Sequence, residues 1–268
     1  MVKKKFKRVV VVSDLHCGHR AGLTPPDHWQ KGTSYFQQQQ KTWNFYTDAL
    51  KELQKEHPID YLICNGDAID GKGQKSGGTE LYEPDRSKQV EIAEICLREA
   101  KADKYMLVYG TAYHTGQDED WEKQLAWRLD AEITGHLFWE CPNTGITFDV
   151  KHKVGSSQVP WGRFTAINKD KIWNTIWHDK GGQPDGDIII RSHVHYFAYS
   201  GDGSYLCVVT PALQGFGSKY GVRECVGMVN FGFIWFDIEE NGSYDWGSRI
   251  MQYEVVKQKD DTFESRLK

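Results

Sequence analysis

VVVVSDLHCGH, residues 9–19, runs four β-branched residues straight into an acid and two histidines. An uninterrupted valine run favours a strand buried on both faces, as at the centre of a parallel sheet. Such a strand ordinarily ends in something bland, such as Gly, Asn or Ser. Here it ends in Asp14 and His16, two residues apart, with His19 just beyond. That ending either solvates the chain where it surfaces or places metal ligands at the rim of a sheet.

The same grammar repeats downstream. After KRVVVVSD comes a helical pattern near 37–56, stopped by Pro58, and then the strand IDYLICNGD. SKQVEIAEICLREAKA reads as a helix, YMLVYG as a third strand, and DEDWEKQLAWRLDAE as a third helix, with acids in its first turn where the helix dipole favours them. This β-α alternation predicts an α/β fold with a parallel sheet in the first half. In the second half, HLFWECP, GITFDVKHKVG, DIIIRSHVHYFAY, SYLCVVTPAL and the hairpin-like NFGFIWFDIEENGSYDWGSRIMQYEVV read as strands, interrupted by a helix over about 164–179. They predict an antiparallel-leaning sheet packed on the first. With no linker and no repeat, residues 1–256 are expected to form one domain and 257–268 a charged tail.

Composition narrows the class. A hydrophobic content of 39% with 13% aromatics belongs to a folded globular chain. A net charge of −4 provides no global field for nucleic acid or an acidic membrane, and the basic MVKKKFKR reads as a solvated lead-in to the first strand. Six cysteines without a CxxC pair read as reduced, buried thiols. No apolar run approaches the roughly eighteen residues of a membrane span, and no signal-peptide core is visible. A cytoplasmic protein without a membrane partner is therefore expected. Trp173 and Trp177, at helical spacing, read as core or interface, and Trp161 as a further candidate for stacking on a base.

In open α/β sheets, sites form beyond the carboxyl ends of strands. Those ends carry Asp14 and His16, then Asn65, Asp67 and Asp70, then Thr111 and His114, then His152, and finally His193 and His195. Taken singly these are weak signals, since a strand-end GD is commonly a turn and a lone histidine a surface group. HxH on a strand would set both imidazoles on one face. As a set, carboxylates or imidazoles at every strand end point to a metal site. A carboxylate such as Asp67 can bridge two cations, which neutral imidazole cannot, and the mixed ligand set suits Mn, Fe, Zn or Co better than Mg or Ca.

The order D-x-H, G-D-x-x-D, a G-N-H-like element, His, and then H-x-H resembles the calcineurin-like metallophosphoesterase family over Asp14 to His195. The resemblance implies a four-layer α/β/β/α sandwich of two mixed sheets flanked by helices, with two divalent transition metal ions, Mn favoured, at the strand ends. Asp14, His16, Asp67 and His195 would hold one ion; Asp67 would bridge to a second, held also by His152 and His193. The implied activity is a metal-dependent phosphoric ester hydrolase using a metal-bridging hydroxide. The expected substrate is a phosphodiester of nucleotides or nucleic acid; the alternatives are a phosphomonoesterase and a non-catalytic metal-binding scaffold. Two departures stand out. Gly110-Thr111-Ala112-Tyr113-His114 replaces G-N-H, so Thr111 could substitute for the asparagine, and His114 is placed near the second ion as ligand or general acid. Ser192 replaces the glycine before H-x-H. Asp70, His19 and Arg223 are further candidates for contact with metal or substrate, and the Gly-rich 71–78 stretch is expected to form a loop at the mouth of the site.

Overall fold

A computed structural model describes residues 6–115, 119–157, 159–218 and 229–252. First along the chain come β1 (Phe6–Val12), α1 (Phe36–Glu56), β2 (Tyr61–Asn65), α2 (Arg86–Arg98), β3 (Lys104–Val108), the single turn α3 (Ala112–Thr115), α4 (Trp121–Arg128) and β4 (Glu132–Thr134). Then follow β5 (Leu137–Glu140), β6 (Thr147–Lys153), α5 (Gly162–Asp179), β7 (Ile188–Ser192), β8 (Ala198–Gly201), β9 (Leu206–Val209), β10 (Gly232–Glu239) and β11 (Tyr244–Ile250).

One sheet has the order β11-β10-β1-β2-β3-β4 and the other β5-β6-β7-β9-β8. The valine run decides the layering. Val10 and Val12 point to a core shared with Tyr46 and Leu50 of α1, Ile92 and Cys96 of α2, and Leu125 of α4. Val9 and Val11 point the other way, to Phe148, Ile188, Ile190 and Val208 of the second sheet. Ile189, Cys207 and Val209 line the far face of that sheet, where Ile167 of α5 covers them. Period-two alternation thus yields four layers, two mixed sheets back to back with helices outside. Each of the four valines is fully buried, which stabilises by about 1.5–3 kcal/mol per side chain.

The second sheet differs from the expected antiparallel lean. Its centre, β6-β7-β9, is parallel, and only the edge strands β5 and β8 run antiparallel. The ENGS hairpin forms as expected, with Gly242 at φ 83°, but β10 pairs with β1 in the first sheet. The third helix is shorter than its pattern, because Asp130 takes φ 51° and turns the chain into the short parallel strand β4. Trp173 and Trp177 are 52% and 51% exposed and Trp161 78%, so none of the three belongs to the core. Arg223 and the 257–268 tail lie outside the described residues. Among the described residues no helix is long and apolar enough to cross a membrane.

Candidate metal centre

The site forms where the loops after β1 and β2 run side by side. Asp14 N–H donates to Gly66 O, His16 N–H to Asp67 O and Cys17 N–H to Ala68 O, each at 3.0 Å. This zipper continues the parallel pairing of the strands past their regular ends. Its cost is visible in the backbone: Asp14, His16 and Asp67 take φ of 52°, 46° and 49°, and His193 and His195 take 77° and 56°. Left-handed conformations at non-glycine residues are strained and cluster at functional sites. Two glycines make room. A Cβ on Gly66 would lie 2.5 Å from the His152 ring, and one on Gly110 would lie 2.1 Å from Asp67 Oδ1.

Strand β7 ends at Ser192, so His193 and His195 sit in the loop beyond it rather than on the strand as expected. Their positive φ values send the imidazoles to different neighbours. His195 Nε2 lies 3.2 Å from Asp14 Oδ1, and His193 Nδ1 lies 3.9 Å from Asp67 Oδ2. Ser192, in place of the family glycine, joins a buried hydroxyl chain through Thr210 to Ser13 and accepts from Asn65 Nδ2. Asn65 therefore closes its strand, as its position predicts.

Three groups of side chains bring ligand atoms within 4.8 Å of one another: Asp14, His16 and His195; His16, Asp67 and His114; and Asp67, His152 and His193. The structure thus collects Asp14, His16, Asp67, His114, His152, His193 and His195, with His16 and Asp67 each shared between two groups. His114 clusters with His16 and Asp67, not with His152 and His193 beside which it was expected. Thr111 donates its N–H to Asp67 Oδ1 at 2.6 Å and its hydroxyl to Oδ2 at 2.8 Å. Cys17 is turned away toward Cys96.

The proton positions follow from the partners. A backbone carbonyl can only accept, so His152 Nδ1 at 2.7 Å from Asn65 O and His114 Nδ1 at 2.8 Å from Asp70 O must carry hydrogens. His16 donates Nδ1–H to Asp70 Oδ1 at 2.9 Å. All three imidazoles therefore present Nε2 to the centre, the orientation that outer-shell acceptors impose on metal-binding histidines. Asp70 alone orients two of them. His19 stands apart: its Nδ1 accepts from Ala21 N–H, and its Nε2 lies 3.6 Å from Glu80 on the cavity wall.

Burial opposes charge on Asp67, yet the histidine charges around it, His152 foremost, hold its carboxyl well below the usual range. Burial pulls His152 down but Asp67 and Asp14 push it up to about 10, whereas burial lowers His16 to about 4. Asp14 Oδ1 and His16 Nε2 are buried and make no hydrogen bond among the described residues. Two inward-facing lone pairs left in this way cost about 1–3 kcal/mol each. A divalent cation would satisfy both, so the donor set fits metal.

Beneath the site lies a residue that sequence reasoning passed over. Glu122, 1% exposed, accepts Ala68 N–H at 3.0 Å and Gly110 N–H at 2.7 Å. Burial, then the charge of Asp67, raises it to about 7. Its signal was an acid in register with Leu125, Ala126 and Leu129 on the buried stripe of α4, which the helix-dipole reading hid.

The calcineurin-like phosphoesterase family model matches residues 7–207. Among solved structures, Vps29 of Entamoeba histolytica complexed with zinc is 16% identical, covering 91% of this chain and 98% of that one, with a TM-score of 0.45. An archaeal phosphodiesterase is 14% identical over 90% and 99% at TM-score 0.46. A putative 5'-nucleotidase of Staphylococcus aureus is 12% identical over 96% and 57% at 0.47. Comparison with curated proteins yields no match. The family match spans most of the chain, including every clustered histidine and carboxylate: this protein belongs to the calcineurin-like phosphoesterases.

Proposed function

We propose that this protein is a binuclear-metal phosphodiesterase acting on nucleotides or nucleic acid. The observation that carries this reading is the pair of ligand groups, Asp14/His16/His195 and Asp67/His152/His193, set side by side with buried lone pairs aimed inward. Asp14, His16, Asp67 and His195 would hold one ion and Asp67, His152 and His193 the other, with manganese the favoured metal. Ions so held would acidify a water, orient the phosphate and offset charge on its oxygens.

The chain's own groups do the rest. Asp70 holds His16 and His114 in fixed tautomers. Thr111 holds both oxygens of Asp67, so the carboxylate cannot swing away. His114, its Nε2 3.9 Å from Asp67 Oδ2, stands at the edge of the centre, where an imidazole can ligate the first ion or meet the leaving oxygen. A cavity of about 450 Å³ opens over the ligand groups and is lined also by Ser76, Glu80, Tyr113, Lys153 and Ser156. That volume falls within the range of small-ligand sites and has room for a phosphorus carrying two substituents, which supports a diester. Cys17, Cys64, Cys96, Cys141 and Cys207 are all free and buried, which supports a reducing, cytoplasmic setting.

Mn-loaded protein assayed on bis(p-nitrophenyl) phosphate, p-nitrophenyl phosphate and single-stranded DNA tests the reading. Turnover of the diester above the monoester is expected. Inactivity on all three overturns it in favour of the scaffold.

A further inference from the structure

The floor of the site rests on a closed ring of hydrogen bonds. Glu122 Oε1 takes the N–H of Ala68, the residue after Asp67, and Oε2 takes the N–H of Gly110, the residue before Thr111. Thr111 in turn binds both oxygens of Asp67. The ring runs Asp67, Ala68, Glu122, Gly110, Thr111 and back to Asp67. It crosses from the end of β2 to the end of β3 through one side chain supplied by α4.

We infer that Glu122 is a positioning residue that clamps the β2 and β3 loop ends and so aims Asp67 between the two ligand groups. The geometry leaves the carboxylate no other task. Both oxygens take backbone donors, and the buried residue does not line the cavity. A second tie seats the same helix: Tyr109 OH donates to Asp120 Oδ2 at 2.5 Å, and Asp120 caps α4 by accepting Lys123 N–H at 2.8 Å. The strained φ of 49° at Asp67 persists only where its surroundings over-determine it, and Glu122 fixes the peptide on its carboxyl side. The departure from G-N-H explains the need. Thr111 supplies a hydroxyl to Asp67, so the aim of the carboxylate depends on where the Gly110–Thr111 backbone is held.

The consequence for metal binding rests on the binuclear reading; the clamp itself does not. Glu122→Gln preserves shape but turns one N–H acceptor into a donor. Leu125→Ala, on the same buried stripe of α4, loosens the helix without touching the ring. Calorimetric titration with Mn(II) is expected to show two ions on the wild type, a 10- to 100-fold weaker site in Glu122→Gln, the usual loss for an outer-shell partner, and unchanged affinity in Leu125→Ala despite a lower melting temperature. Equal loss in both variants, or none in Glu122→Gln, overturns the inference. Amide exchange on the metal-free proteins tests the clamp independently: Ala68 and Gly110 N–H should exchange at least tenfold faster in Glu122→Gln and unchanged in Leu125→Ala. If the wild type binds no metal the binuclear reading falls, and the exchange data alone decide whether the clamp stands. Should Glu122→Gln fail to fold, Glu122→Asp, too short to reach both amides, is measured in its place against the same outcomes.

Discussion

Two aspartate–histidine clusters among the described residues, each around a buried carboxylate, are built to opposite ends. At the outer face of the second sheet, Asp149 accepts from His136 Nε2 at 2.7 Å, Arg191 Nη1 at 2.8 Å and Asn174 Nδ2 at 2.9 Å, while Arg191 also binds Asp170 at 2.7 Å. Its negative charge is met by an internal cation and its lone pairs by donors, so it ties α5 and β7 to β6. At the strand ends, Asp14 and Asp67 are as deeply buried, yet their ion-pair partners among the described residues are histidines, with Thr111 also donating to Asp67. There the backbone is strained and lone pairs face inward. The same residue types make a brace where an arginine and an amide complete the cluster and a binding site where buried lone pairs are left facing inward.

This contrast can be broken by experiment. Asp67→Asn is expected to lower diesterase turnover by about 10²–10³-fold, as loss of a group central to transition-state charge stabilisation does, and to abolish binding of the second Mn(II). Retained turnover would show that the centre is not the site. Asp149→Asn is expected to leave Mn(II) binding intact but to cost about 1–3 kcal/mol in thermal unfolding, since Arg191 keeps Asp170 but loses its buried carboxylate. Burial opposes charge on Asp149, but His136 and then Arg191 hold its carboxyl below the ordinary 3.8. A depressed carboxyl stabilises above its unfolded value and loses that contribution as pH falls through its folded value. The gap between wild type and Asp149→Asn should therefore narrow below about pH 3.8, and an unchanged gap would contradict the brace.

Mn(II) at about 100 times its dissociation constant should raise unfolding stability by about 2.7 kcal/mol per site in the wild type and in Asp149→Asn alike. No rise would remove the cation from the account. Trp161→Ser, at 78% exposure, is expected to change stability by less than about 0.5 kcal/mol; a larger loss by denaturant titration would place this tryptophan in unrecognised packing.

The strands of the first sheet were legible because they advertise burial locally: four valines followed by an acid and imidazoles, then YLICN followed by Asp67 and Asp70. Asp14, His16, Asp67, His152, His193 and His195 could be named for the same reason. The second sheet was less legible. Its parallel centre joins β6 to β7 across α5, and β7 to β9 across β8, and such partners leave no mark on short apolar runs. HxH misled in detail, since a two-residue spacing implies one face only while the strand lasts, and β7 stops one residue too soon. Glu122 was hidden by a local explanation that fitted equally well.

What the amino-acid sequence determined by itself is the chemistry at each strand end and the alternation that sorts the valines into two cores, because both depend on neighbours one or two residues apart. Tertiary structure alone decided which lone pairs converge, which histidine nitrogen faces inward and which acid is a clamp. Those depend on loops separated by tens of residues meeting within hydrogen-bond distance, and on backbone strain that only the assembled sheets can hold.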